Sequence, residues 1–99
     1  MAEEASFDLV ALVASAGGLE ALTVALRDLP KDLPVAVVVS QHLGGKGSLL
    51  VDILRRRIAL PVSWAEEGAP LKPGEVVVCP PRRVLEVLPD RTVILPPLS

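Results

Sequence analysis

Two uninterrupted apolar stretches of strand length, with a helical pattern between them, constrain this chain more than any other feature. Phe7 to Ala14 (FDLVALVA) is nearly continuous apolar sequence, and Val35 to Ser40 (VAVVVS) is a second run rich in β-branched residues. A strand with one wet face alternates apolar and polar residues. A run that does not alternate belongs to a strand covered on both faces, as in a parallel sheet. Between the two, Leu19, Leu22, Leu26 and Leu29 recur at helical spacing, with Glu20, Thr23 and Arg27 on other faces, and Pro30 ends the helix. Ser15-Ala16-Gly17-Gly18 is the turn that leads into it.

The pattern then repeats. Gln41-His42-Leu43-Gly44-Gly45-Lys46-Gly47 reads as a loop, and Ser48 as the N-cap of a helix that buries Leu49, Leu50, Ile53, Leu54 and Ile58. Pro61 opens a third strand, Val62 to Ala65. The order β-α-β-α-β predicts an α/β fold, a parallel doubly wound Rossmann-like sheet with right-handed crossovers. After Glu66 the punctuation changes. Pro70, Pro73 and Gly74 mark a loop, Glu75 to Cys79 is strand-like, and Pro80-Pro81 ends it. Val84 to Leu88 and Thr92 to Leu95 flank Pro89-Asp90-Arg91 as a β-hairpin. Two helices are too few to cover both faces of such a sheet, and a mean hydropathy of +0.51 leaves apolar groups without cover. The chain is therefore expected either to form a homodimer or to be an incomplete domain that associates with a missing C-terminal half. The second is preferred.

Composition excludes several classes of function. No apolar run approaches the ~20 residues that span a bilayer, and the acidic opening Met1-Ala2-Glu3-Glu4-Ala5-Ser6 is unlike a secretory signal. The expectation is a soluble, cytoplasmic protein without membrane insertion. With Cys79 as the one cysteine and His42 as the one histidine, neither a disulfide nor a zinc cluster can be assembled, and no metal is expected. A net charge of −2 argues against a nucleic-acid partner. Arg55-Arg56-Arg57 suits a solvated helix end, where cations meet the negative end of the macrodipole.

Ser15 and His42 stand out by position. Strands of a parallel sheet point their carboxyl ends one way, and ligands bind along that edge. Ser15 follows the first strand and His42 the second. If the strands are neighbours, about 4.8 Å apart, the hydroxyl and the imidazole come within reach of proton transfer. Backbone N–H groups of Ala16 and Gly17, at the start of a helix, would favour a developing oxyanion. Plainer readings remain open: Ser15 as an ordinary helix cap, the Gly-rich turn as a phosphate site, and His42 as a polar loop residue.

Three segments carry a family resemblance. LVALVASAGGLEAL resembles the opening of the catalytic domain of chemotaxis protein-glutamate methylesterases (CheB-type), where a strand ends in Gly-Ala-Ser-Ala/Thr-Gly-Gly. VAVVVSQHL is similar to that family's second strand, ending in Gln-His, and LPVSWAEEGAPLKPGEVVVCPPRRVLEV to its Pro-Gly and Pro-Pro-x-Arg region. The resemblance runs from Asp8 to Leu95 and identifies residues 7–97 as the N-terminal part of that domain, with no receiver domain ahead of it. It implies hydrolysis of glutamate γ-methyl esters on chemoreceptors, or on another methylated protein, and deamidation of receptor glutamines. Ser15 would be the nucleophile, His42 the general base, Ala16, Gly17 and Arg83 the oxyanion and substrate side, and no cofactor is needed. Three departures accompany it. Val13 replaces a Gly and is expected to crowd the serine turn. Arg82-Arg83-Val84 stands for Asp-Arg-His. The triad Asp of the family lies in a later Gly-x-[NS]-Asp-Gly segment, so activity of this chain alone is expected to be impaired, with a non-catalytic relic or binding module as the alternative. Glu66 or Glu67 is a minor candidate for a substitute acid.

Overall fold

A computed structural model describes residues 8–15, 19–30, 32, 34–42 and 49–97. The two long apolar runs are strands β1 (Asp8–Ser15) and β2 (Val35–His42), joined through helix α1 (Leu19–Arg27). Helix α2 (Leu50–Arg57) leads to β3 (Val62–Trp64), and the strand-like run before Pro80 is β4 (Val76–Val78). β5 (Glu86–Val87) and β6 (Val93–Ile94) pair antiparallel as the expected hairpin. Its turn closes on Arg91 N–H to Leu88 C=O at 2.8 Å, and Asp90 Oδ1 accepts from the Thr92 amide and hydroxyl at 3.1 and 2.6 Å.

The four parallel strands lie in the order β1-β2-β4-β3. β1 and β2 are in register over their whole length, from Asp8 opposite Val35 to Ser15 opposite His42. From β1 to β2 to β3 the chain moves across the sheet in one direction, and right-handed crossovers in one direction place their helices on one face. Leu22 and Leu26 of α1 and Leu50, Val51 and Leu54 of α2 accordingly share a core with Val37, Val39, Val62, Val76 and Val78. From β3 the chain reverses to insert β4 between β2 and β3, so this connection crosses the other face. There Leu71, Val93 and Leu95 pack with Ala36, Val38, Ala65 and Cys79. The second face of the sheet, which had no helix to cover it, is closed by a loop and a hairpin.

Several local expectations shift. In α2 it is Val51 that is buried, whereas Leu49 sits in the cap position, 56% exposed and without a side-chain cap bond. The helix starts one residue later than the apolar spacing suggests, and its inward stripe is Leu50, Val51 and Leu54, with Ile53 only partly buried; Ser48 lies outside the described residues. Thr23, placed off the apolar face, is buried, and its Oγ1 accepts from Arg57 at 3.5 Å. Arg57 also meets Glu20 at 3.6 Å, and Arg55 Nε donates to Val62 C=O at 2.8 Å. Two members of the basic run thus tie α2 to α1 and to β3. Gly68 and Gly74 both take positive φ, which suits the connection between β3 and β4.

β1 is the exposed edge. Val10 and Val13 are among the exposed large apolar residues, and a cleft of about 180 Å³ opens beside β1, walled by Leu12, Leu26, Leu29 and Val37. A long apolar edge of this kind is a template for further pairing. No described helix is long and apolar enough to cross a membrane.

Leu54 is fully buried under both helices' contacts with the sheet. Leu54→Ala should destabilise the fold by about 2–5 kcal/mol, read as a lower urea midpoint at an unchanged m-value.

Candidate active site

The carboxyl edge of the sheet is assembled by pairing alone. Ser15 ends β1 and His42 ends β2, and the ladder sets them opposite one another with no strand between. Paired Cα positions on neighbouring strands lie about 4.8 Å apart. Strand alternation puts both positions in phase with Leu9, Ala36 and Val38, which belong to the face closed by the hairpin. Val13, expected to crowd the serine turn, is 69% exposed; the turn itself lies outside the described residues. Ala16 and Gly17 lie outside the described residues.

β4 is the neighbour of β2 on the other side, and the Cys79 amide extends that ladder by donating to Val39 C=O at 2.7 Å. The chain therefore turns through Pro80-Pro81-Arg82-Arg83 beside the last residues of β2. The turn is held firmly. Cys79 Sγ donates to Arg83 C=O at 3.3 Å, Arg83 Nη1 donates to Leu95 C=O at 3.2 Å, and Arg83 bridges Pro97. Arg83, expected on the substrate side, thus directs its guanidinium to the end of β6. No local sequence signal marks this tether, because its acceptor is a backbone carbonyl twelve residues away.

The two carboxylates weighed as substitutes for a triad acid lie elsewhere. Glu66 and Glu67 follow β3, and β4 separates β3 from β2, so they are about two strand spacings, or roughly 10 Å, from the line of His42. Glu67 Oε1 is already engaged, accepting from the Leu95 amide at 2.8 Å. Glu66 lines a separate cavity of about 210 Å³ with Trp64, Lys72 and Glu75. Among the described residues, no group of three or more His, Cys, Asp or Glu is arranged to hold a metal ion.

A family model described as CheB methylesterase matches residues 10–97. The chain belongs to the CheB methylesterase family. Among curated CheB-family relatives, protein-glutamate methylesterase/protein-glutamine glutaminase 4 of Myxococcus xanthus (strain DK1622) is 45% identical over 80 residues, which is 80% of this chain and 23% of that protein. A second, protein-glutamate methylesterase/protein-glutamine glutaminase 2 of Burkholderia lata, is 45% identical over 71 residues, 71% of this chain and 21% of that protein. The crystal structure of the Thermotoga maritima CheB methylesterase catalytic domain superposes with a TM-score of 0.82 at 30% identity, covering 95% of this chain and 52% of that one. The chain thus spans less than a quarter of those two relatives and about half of the solved CheB catalytic domain.

Burial raises the pKa of the Cys79 thiol. The unfolded chain ionises this group near its ordinary value of about 8.5, while the folded chain keeps it neutral. Its contribution to stability is fully present below the unfolded value and is lost as pH rises through the folded one. Between about pH 8 and 10 the urea midpoint of Cys79→Ala should fall less than that of the parent chain. Arg83→Ala, which frees one end of the turn, should cost about 1 kcal/mol, measured the same way at neutral pH.

Proposed function

We propose that residues 7–97 carry the serine–histidine half of a protein-glutamate methylesterase catalytic domain. The chemistry is hydrolysis of glutamate γ-methyl esters on a methylated protein such as a chemoreceptor, with deamidation of glutamine side chains as the related reaction. The observation that carries this reading is the pairing of Ser15 with His42 at the carboxyl ends of adjacent parallel strands. The names of the relatives, which pair methylesterase with glutaminase, support the two substrates.

In this mechanism His42 takes the Ser15 hydroxyl proton as the oxygen attacks the ester carbonyl. The tetrahedral oxyanion is received by the backbone amides of Ala16 and Gly17, its collapse breaks the bond to methoxide, and His42 returns the proton so that methanol leaves. Water, deprotonated by His42, then releases the acyl-enzyme as glutamate. With a glutamine side chain the leaving group is ammonia. Arg83 acts as a positioning residue, fixing the turn that borders the β2 end of this edge.

A triad also needs an acid that holds the imidazole in one tautomer, and its loss costs about 10⁴-fold in turnover in a serine protease. Glu66 and Glu67 are set apart from β2 by β4. The resemblance implies that this acid lies in the later part of the family's catalytic domain, of whose solved example this chain covers 52%, and the β1 edge with its apolar cleft suits the addition of further polypeptide. A binding module without catalysis is the second reading; the replacement of the family's Gly by Val13 and the changed Arg82–Val84 segment favour it.

Labelling with a fluorophosphonate probe separates the two. The parent chain, mixed with the second half of a family catalytic domain, should label at Ser15. Labelling should disappear in Ser15→Ala and fall by about 10³-fold or more in His42→Ala. No labelling of the complemented parent chain would leave the binding module as the surviving reading.

A further inference from the structure

We propose that Arg82 reads charge on the substrate: its guanidinium binds a carboxylate that flanks the modified glutamate in the target polypeptide. This rests on the methylesterase reading above and adds a specificity determinant to it.

The position of Arg82 follows from the sheet order. β4 adjoins β2, and the ladder between them extends to Cys79, which lies at the level of Ser40. The turn holding Arg82 therefore starts about two residues, or some 7 Å along the strand direction, below the level of His42. An extended arginine side chain is of comparable length, and the turn follows the strand that adjoins β2. The turn is also preorganised. Besides the Cys79 and Arg83 tethers, the Val84 amide donates to Pro96 C=O at 2.9 Å, and Pro80 and Pro81 have fixed φ.

Within this rigid turn Arg82 has φ of +67°, a conformation glycine adopts freely and arginine does not. Arg91 takes the same conformation in the hairpin turn, at φ +68°, so the backbone marks the turn, and it is the exposure of Arg82 that points to a role for its side chain. The fold makes no use of its charge. Arg55, Arg57 and Arg83 each hydrogen-bond within the molecule, and Arg27 meets Asp28. Among the described residues, Arg82 is exposed and makes no side-chain hydrogen bond or ion pair. Arg56 is similarly free, but it lies in the last turn of α2, which returns the chain to the amino edge of the sheet where β3 begins.

The chemistry selects the ligand. A γ-methyl ester is neutral, so a cation beside the reaction centre gains nothing from the ester group before cleavage. A neighbouring carboxylate accepts two parallel N–H bonds from the guanidinium fork. That contact would favour modified glutamates in acidic surroundings over those in neutral ones.

The test uses two fluorescent peptides, each with one glutamate γ-methyl ester, flanked in one by glutamates and in the other by glutamines. Affinity for the full chain is measured by anisotropy. The acidic peptide should bind about 5-fold more tightly than the neutral one, and the preference should shrink between about 50 and 300 mM salt. Arg82→Gly, which also relieves the backbone, should abolish the preference while raising Tm, Arg82→Glu should reverse it, and Arg82→Lys should keep part of it. Equal affinities in the parent chain, an unchanged preference in Arg82→Glu, or no binding of the acidic peptide at about 1 mM would overturn the proposal. A preserved preference without fluorophosphonate labelling of Ser15 in the chain complemented by the second half of a family catalytic domain would uphold Arg82 and sink the catalytic reading alone.

Discussion

The structure depends on the unbroken parallel ladder between β1 and β2. Eight consecutive residue pairs match without a bulge, so the two strands end together and Ser15 meets His42. A slip of one residue would set Ser15 opposite Gln41 and would turn the side chains of β2 to the wrong faces. That slip is opposed by burial. Ala36 to Val39 are all buried, odd positions against the helices and even positions against the hairpin side, and each of the three valines contributes about 1.5–3 kcal/mol when withdrawn from water.

The insertion of β4 between β2 and β3 is the second organising event. It reverses the direction of travel across the sheet, which transfers the following chain to the face opposite α1 and α2. The hairpin and the loop around Leu71 then bury apolar surface there. The same insertion sets the segment 79–83 alongside the end of β2 and moves the carboxylates that follow β3 two strands away from it. The one element that distributes groups around the candidate site is thus a three-residue strand whose outer members, Val76 and Val78, are completely buried.

Charged side chains divide between scaffold and edge. Arg55 and Arg57 brace α2, Arg83 locks the turn after β4, and Glu67 satisfies a backbone amide of the hairpin. All but the Arg57–Thr23 bond involve partly buried backbone groups, whose loss of a partner costs more than a missing surface ion pair. Among the described residues, the β1 side shows no comparable bracing. Its bare edge and apolar cleft fit a sheet that continues beyond these residues, and proximity of a hydroxyl and an imidazole reaches full effect only when a third group orients the base.

The parallel α/β character was legible in residues 7–40, because non-alternating Val- and Ala-rich runs separated by an amphipathic helix have few other solutions. The Leu22 and Leu26 stripe, the stop at Pro30 and the Asp90 turn were equally local, since each depends on residues within one or two turns of chain. The family motifs singled out Ser15 and His42, and the ladder brought their positions together. Sequence spacing could not reveal that β4 enters between β2 and β3, that Thr23 is buried beneath Arg57, or that Arg83 reaches Leu95. Those outcomes depend on which faces remain uncovered after the helices have docked, and that competition for apolar surface is settled only when the whole sheet is assembled.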